Sequence, residues 1–438
     1  MLSGWGRYPR AECRILEPRQ LAEIPPLAGT ETSMIARGNG RAYGDAALNP
    51  QATLRMLHND RLIAFDETSG LVTCEAGMLL SDILDIFVPR GWFPPVTPGT
   101  KFVTIGGMIA ADVHGKNHHK AGTFGNYVKS FDLLLASGSI VECSASYNTE
   151  LFEATLGGMG LTGIILCASF TLQRIQTSYI RQETLRARNL RDIMEMFAVS
   201  YDWSYTAAWI DCLSQGDNLG RALLYRGEHA VLEDLPRAQQ KEPYRQPRKR
   251  YLRVPFNFPS WALNRWSIRT FNDLYYSQHP TAKEIVDYDS FFYPLDAILE
   301  WNRIYGKKGF LQYQCVLPLA ASYDGMQIIL SKIAARKRGS FLAVLKLLGN
   351  ERGSLSFPMK GYTLALDFPA APDVFDLLNE LDAVVLDHGG RIYLAKDARS
   401  TAATIQQGYP GIASFHDVRK QIDPHRKWVS LLSQRVGL

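Results

Sequence analysis

The sequence predicts an α+β fold in two domains, and three observations predict it. The chain has 438 residues, 46% hydrophobic and 21% charged, enough to bury more than one core. From about Ser33 to Leu172, short apolar runs alternate with glycine-rich punctuation, the pattern of short strands joined by tight loops. After Thr177 the glycines thin out and Trp, Tyr and Phe become frequent, which marks a second, differently built region.

Taken in order, Met34–Ala36, Leu71–Cys74 and Ile164–Leu172 read as strands, and Leu80–Phe87 and Thr149–Leu156 as brief helices. A boundary falls near 175–180, giving domains 1–178 and 179–390. Leu190–Ala198 then reads as a helix, and Tyr205–Asp211 and Phe310–Leu317 as strands. Lys241–Trp266 mixes Pro, a run of Lys and Arg, and close aromatics, and reads as an irregular loop. Asp373–Asp387 has the period of an amphipathic helix; a Gly-Gly turn and a strand, Arg391–Ala395, follow it, and the last forty residues carry short helical pieces. There is no internal repeat.

Composition excludes several classes. Lys+Arg number 48 against 43 Asp+Glu, a formal charge of +5, too small for a dedicated nucleic-acid protein. Six scattered cysteines form no C-x-x-C pair, which argues against a zinc cluster or disulfide framework and for a reducing, cytoplasmic setting. Met1–Arg10 holds no signal-peptide apolar core, and no window reaches the roughly 18 apolar residues of a spanning helix.

Two glycine clusters compete as a phosphate site. The first, RGNGRAYGD (Arg37–Asp45), follows a strand; its glycines allow positive φ and free the backbone N–H groups to form an anion nest, with Arg37 and Arg41 adding charge. It departs from the Rossmann fingerprint because Tyr43 replaces the third glycine and no helix follows. The second, Gly158-Met-Gly160-Leu-Thr-Gly163, matches G-x-G-x-x-G but runs from helix into strand, the reverse of the order a dinucleotide needs, so a tight turn is the plainer reading.

A third piece, Thr97–His119, opens a small-residue run at Gly106-Gly107 that would let backbone lie against a flat ring, and ends in His114, Lys116, His118 and His119. These histidines admit a metal, a structural role, or contact with a cofactor or substrate. The Gly-Lys-Asn spacer breaks the helix that H-x-x-x-H ligation requires, so no metal is expected.

With these motifs, the chain resembles the vanillyl-alcohol-oxidase type of FAD-linked oxidases. The likeness rests on LSGWGR (Leu2–Arg7), RGNGRAYGD, VTPGT, VTIGGMIAADVHGKNHHKAGTFGN, LTGII, WIDC (Trp209–Cys212), GFLQYQ (Gly309–Gln314) and RIYLAKD (Arg391–Asp397), in family order. It implies a PCMH-type FAD-binding domain of two α+β subdomains, a substrate domain with an antiparallel sheet flanked by helices, and a C-terminal return (391–438) to the first domain. Members that attach FAD covalently carry a histidine where this chain has Arg41, so the resemblance implies a non-covalent flavin.

The resemblance places Arg37, Gly38, Asn39, Gly40, Arg41, Ala42, Tyr43 and Gly44 on the cofactor, with Gly99, Thr104, Ile105, Gly106, Gly107, Gly163 and Ile164. His114 and Gly115 would lie near the isoalloxazine, and Tyr393 and Lys396 would close over it. On the substrate side it implies Trp209, Tyr293, Gln312, Gln314, Lys346 and Thr363, and Ala365 stands where other members have a cysteine. The activity implied is oxidation of a secondary alcohol on a polyprenyl-phosphoryl pentose, the first half of a ribose-to-arabinose epimerisation completed by an NAD(P)H-dependent short-chain keto-reductase. A soluble sugar, alditol or aldonolactone is the alternative substrate, and a non-catalytic flavin-binding module the alternative of another class.

Such an oxidation needs the C–H facing flavin N5 while the hydroxyl proton is taken. Lys396 is the first choice for that base, through a pKa lowered by partial burial, and His114 with Lys116 beside it the second; Tyr393 completes the group. The run Arg245, Arg248, Lys249, Arg250 and Arg253, interleaved with Tyr251, Phe256, Phe258 and Trp261, fits either a solvated loop or a peripheral membrane contact through 241–266, and no nucleic acid.

Overall fold

Two sheet systems of different construction meet along one cleft in the computed structural model, which describes residues 1–247, 251–259, 263–350 and 352–438. Near the start of the chain β1 (Ile15–Leu16), β2 (Ile35–Arg37) and β3 (Thr53–Arg55) form a parallel sheet with β3 in the middle. β4 (Leu62–Asp66), β5 (Leu71–Glu75), β6 (Val128–Leu134), β7 (Ile140–Ser144) and β8 (Ile164–Thr171) form an antiparallel sheet in the order β7-β6-β8-β5-β4.

β8 is covered on both faces. Ile164 and Leu166 pack with Leu54 and Trp428, whereas Ile165, Ala168 and Phe170 enter a second core with Phe87, Phe93 and Phe124. A register shift between Ile165 and Cys167 moves the strand by one residue, which is how 165 and then 168 and 170 come to share a face. Between these strands lies α1 (Ile105–Ala110), capped by the Thr104 hydroxyl, which accepts from the Gly107 N–H at 3.2 Å.

The remaining strands, β9 (Tyr179–Ala187), β10 (Tyr205–Ile210), β11 (Ala222–His229), β12 (Ala282–Asp287), β13 (Phe310–Pro318), β14 (Ala343–Leu348), β15 (Gly361–Pro369) and β16 (Arg391–Ile392), build one sheet in the order β12-β9-β11-β10-β14-β15-β13-β16. α2 (Leu190–Val199), α3 (Arg265–Gln278), α4 (Ser322–Arg336) and α5 (Pro372–Asp387) accompany it. Ile193, Phe197, Ile329, Ile333, Leu377 and Leu381 from α2, α4 and α5 cover Leu345, Leu364 and Leu366. That core runs on into Ile35, Ala46, Ala154 and Leu432, so apolar packing is continuous between the two sheet systems.

Three expectations need correction. The strand expected over Arg391–Ala395 ends at Ile392: Tyr393 N–H makes a last bond to Gln314 O (2.9 Å), and Lys396 and Asp397 N–H turn back onto Tyr393 O at 3.0 Å, so the chain leaves the sheet. The stretch 241–266 is not wholly irregular, because Leu252–Arg253 pairs in parallel with Ile298–Leu299 and α3 begins at Arg265. α3 itself was not foreseen: it buries only Ile268 and Asn272, too narrow an apolar stripe to stand out, although Asn264 caps it by accepting from Trp266 and Ser267 N–H. Arg248, Lys249, Arg250 and Trp261 lie outside the described residues.

The C-terminal segment closes the molecule. Met34 N–H donates to Lys427 O and Val429 N–H to Met34 O, laying the segment along β2. From α6 (Leu431–Val436), Arg435 donates to both Asp45 and Asp397 at 2.8 Å, tying the loop after β2 to the turn after β16. Among the described residues, no helix is long and apolar enough to cross a membrane.

Candidate active site

A cavity of about 350 Å³ lies where these parts meet, within the roughly 300–1,000 Å³ of ligand pockets. One wall is the loop Arg37–Gly44. The backbone N–H groups of Gly38, Asn39, Gly40, Arg41 and Ala42 have no acceptor among the described residues, and all five residues line the cavity. Successive unpaired N–H groups form an anion nest, and Gly40 makes the turn at φ +62°. Gly38 packs so closely that a Cβ would meet the Thr104 hydroxyl at 2.2 Å.

The two arginines of this loop differ in role. Arg37 is spent on the fold, donating to Ser3 O (2.7 Å) and Ala47 O (3.3 Å) from behind the loop. Arg41 stacks on Trp5 at 4.0 Å and keeps a buried Nε without a partner. Asn39 donates to Phe102 O at 2.8 Å, fixing the loop tip.

The floor is α1 and the segment just beyond its C-terminal end. Ile105 and Gly106 N–H are bonded to Met78 O and Ala76 O, so Gly106 and Gly107 offer the cavity flat backbone rather than donors. His114 is buried, its ring 5.6 Å from that of Tyr393, and Tyr393 stacks on Phe357 and donates to Ala111 O at 3.0 Å. Burial holds the His114 imidazole well below its ordinary pKa, and Lys346, His118 and Lys396 push it further down.

The opposite wall is one face of the large sheet, set by strand register. Gln314 on β13 faces Ala365 on β15, which faces Val344 on β14, which faces Trp209 on β10. One pair along lie Lys346 and Thr363; on the other side, Gln312 and Asp367. Gln314 Nε2 lies 3.2 Å from both His114 Nε2 and Thr363 Oγ1, and the Thr363 hydroxyl donates to Cys315 O at 2.7 Å.

Lys396 reaches in from the turn after β16, its ammonium 3.9 Å from the centre of the Tyr43 ring. It has no hydrogen-bond acceptor among the described residues and lines the cavity. Burial lowers its pKa to about 7; Asp367 opposes the shift and Lys346, itself lowered to about 8 by burial, adds to it. Asp367 sits behind, buried, accepting from Gln312 Nε2 at 2.6 Å, and burial raises its carboxyl to about 7 against the Gln312 bond and the Lys396 charge.

The structure thus brings Arg37 to Gly44, Gly99, Thr104, Gly106, Gly107, His114, Gly163, Gln312, Gln314, Lys346, Ala365, Tyr393 and Lys396 onto one cavity. Ile105, Gly115, Ile164, Lys116, Trp209, Tyr293 and Thr363 do not line it. Trp209 shares the row with Val344 but donates to Phe341 O (3.1 Å) and packs on Tyr275 of α3. Tyr293 bonds to the Thr97 hydroxyl, and Lys116 bonds to Phe291 O beneath the floor, its pKa lowered to about 7 by burial and Lys346. His118 accepts from Gly349 N–H at 2.9 Å and His119 bonds to Trp203 O, so both serve the fold.

Sequence reading missed Trp5, Asp296, Trp301 and Asp367. Asp367 was within reach: it continues the period-two series Thr363, Ala365, Asp367. The others come from segments whose approach depends on the tertiary fold.

The cavity suits a flavin dinucleotide: an N–H nest and Arg41 for a pyrophosphate at one end, flat glycine backbone and stacked rings for an aromatic system at the other. Residues 17–144 match the family described as FAD binding domain. Over its whole length the chain is 37% identical to decaprenylphosphoryl-beta-D-ribose oxidase of Mycolicibacterium smegmatis, covering 97% of that protein. It is 32% identical over 82% of its length to all of an uncharacterised protein of Streptomyces coelicolor. With L-gulonolactone oxidase of Bos taurus it shares 31% identity over 40% of the chain and 39% of that relative.

Proposed function

The chain belongs to the decaprenylphosphoryl-β-D-ribose oxidase family of FAD-binding oxidoreductases, and from that premise we propose that it oxidises the 2'-hydroxyl carbon of a polyprenyl-phosphoryl ribose to the ketone. The observation that carries the reading is Lys396: a lysine with a pKa lowered to about 7, facing the cavity without a hydrogen-bond acceptor among the described residues, between the nest and the large sheet.

FAD is the cofactor, and when bound it supplies the two-electron acceptor for the carbinol C–H. Gly38 to Ala42 would hold its pyrophosphate, and Gly106, Gly107, His114 and Tyr393 its ring system. Arg41, stacked on Trp5, offers no histidine for attachment, which supports non-covalent binding.

The chain's own residues do the rest. Gln312 and Lys346 offer donors to the sugar hydroxyls and Gln314 its amide oxygen, the orienting step that makes the reacting geometry frequent. Lys396, neutral in part near pH 7, takes the hydroxyl proton as the C–H bond is broken; Asp367 stabilises the ammonium so formed. His114 stays neutral and offers the sugar site no competing positive charge. The keto product passes to an NAD(P)H-dependent short-chain reductase, a step supported by the family resemblance alone.

The test is the visible spectrum of the purified protein, recorded anaerobically while a short-chain polyprenyl-phosphoryl ribose is added. A flavin band that bleaches with the lipid-linked sugar and not with free ribose or an aldonolactone is the expected result. Bleaching by the free compounds alone would move the assignment to a soluble sugar or lactone.

A further inference from the structure

A surface segment that backs the cavity carries exposed apolar side chains close to a groove of cations. From Arg245 to Asn272 the sequence contains no aspartate or glutamate. Leu252 is 68% exposed, Phe256 62%, Trp266 63% and Leu274 51%, large apolar side chains left in water on two neighbouring elements. Trp266 and Leu274, eight residues apart on α3, lie about 80° from each other around the helix, on the half opposite the buried Ile268 and Asn272. Arg265 lies over the Trp266 ring at 4.3 Å, and Arg269 on the same helix is paired with Asp273 at 3.9 Å.

The cationic character continues past this segment. Arg7 donates to Asn257 and Phe258 N–H to Arg303 O, which joins the segment to a shallow groove lined by Arg7, Arg10, Lys307, Lys308, Tyr8 and Phe375. Among the described residues none of these four cations has a carboxylate within 4.0 Å; Arg7 and Arg10 use only Asn257 and main-chain carbonyls. The same segment backs the cavity wall: Leu252–Arg253 pairs with Ile298–Leu299, and Leu263 packs with Trp301.

We propose that this face docks on an anionic lipid bilayer, with Leu252, Phe256, Trp266 and Leu274 entering the interface and the groove of Arg7, Arg10, Lys307 and Lys308 taking lipid phosphates. The charge decides the occupant: Arg245, Arg253 and Arg269 are paired with Glu242, Glu300 and Asp273, but the four groove cations have no carboxylate among the described residues. Together with the exposed apolar side chains they match a surface that is both negative and apolar, where each Lys or Arg strengthens partitioning several-fold. The docked face sets the cavity beside the bilayer, whatever the substrate proves to be.

The experiment is co-sedimentation of the flavin-loaded full chain with vesicles of phosphatidylglycerol and phosphatidylcholine, against pure phosphatidylcholine, at low and high salt. The expected result is sedimentation with the anionic vesicles only, lost at high salt. Lys307→Gln/Lys308→Gln should weaken partitioning roughly thirty-fold, and Trp266→Ser/Leu274→Ser should weaken it as well, each with unchanged flavin content. A chain that stays in the supernatant, or variants that sediment as the parent does, would overturn the proposal. So would a self-associated parent that either variant turns monomeric, because the face would then be an interface between copies. The vesicles contain no substrate, so failure here leaves the oxidase reading standing, and failure of the spectral test leaves this one.

Discussion

The two walls of the cavity are made by opposite strategies. The loop Gly38–Ala42 offers main chain, so what it can bind is fixed by φ, ψ and the absence of side chains. The sheet wall offers side chains, and what it can bind is fixed by register, because Gln312, Gln314, Lys346, Thr363, Ala365 and Asp367 share a face only while β13, β14 and β15 pair as they do. Damage to the first wall should therefore cost the cofactor and the fold, whereas damage to the second should cost turnover and leave the flavin in place.

Lys396→Ala is the sharpest test of that division. It should keep its flavin and lose roughly 10²–10⁴-fold in the rate of substrate-driven reduction, measured by stopped-flow absorbance; a normal rate would remove Lys396 from the mechanism. Gly44→Ala probes the other wall, since its Cβ would lie 1.9 Å from the main-chain oxygen of Asp397. It should cost about 3 kcal/mol of stability, read by denaturant titration, and yield protein largely free of flavin.

A pH effect separates the walls less strongly. Lys116 and Lys396 have pKa values lowered to about 7 and Lys346 to about 8, all below the ordinary lysine value. Between those values and about 10.5 the unfolded chain holds more protons than the folded one, so the lysines make stability rise with pH across that window. Flavin-free protein should thus gain stability from pH 7 to 9.5, and Lys396→Met should flatten the rise; an equal slope in the variant would show that Lys396 does not contribute.

The smallest effect is expected at Ala365. Ala365→Cys adds one sulfur atom to the sheet wall, overpacking worth about 1 kcal/mol, so turnover should fall by less than about tenfold. The new thiol should be alkylated in flavin-free protein, unlike Cys74, Cys143, Cys212 and Cys315, which are buried. Peptide mass spectrometry would read the alkylation, and steady-state rates the turnover.

The same contrast explains what the sequence disclosed. The glycine loop was legible because positive φ and close approach demand glycine, and such demands stand in consecutive letters. Helices Leu80–Phe87 and Pro372–Asp387 were legible from their period. The sheet wall was reached through resemblance, because no local pattern says that residue 314 will face residue 365. α3 escaped for a different reason: most of its surface faces solvent, so its sequence lacks the apolar stripe by which helices are found. Asp296 and Trp301 join the cavity from a turn-rich stretch without any period.

Arg435 carries a consequence for biosynthesis. It clamps Asp45, beside the nest, to Asp397, beside Lys396, and these partners lie 390 and 38 residues away along the chain. During translation the nest is made early, but the arginine that braces Asp45 emerges 390 residues after it, on α6. A chain cut before Leu431 should therefore keep the glycine loop, lose the clamp between Asp45 and Asp397, and hold flavin less tightly than the intact chain.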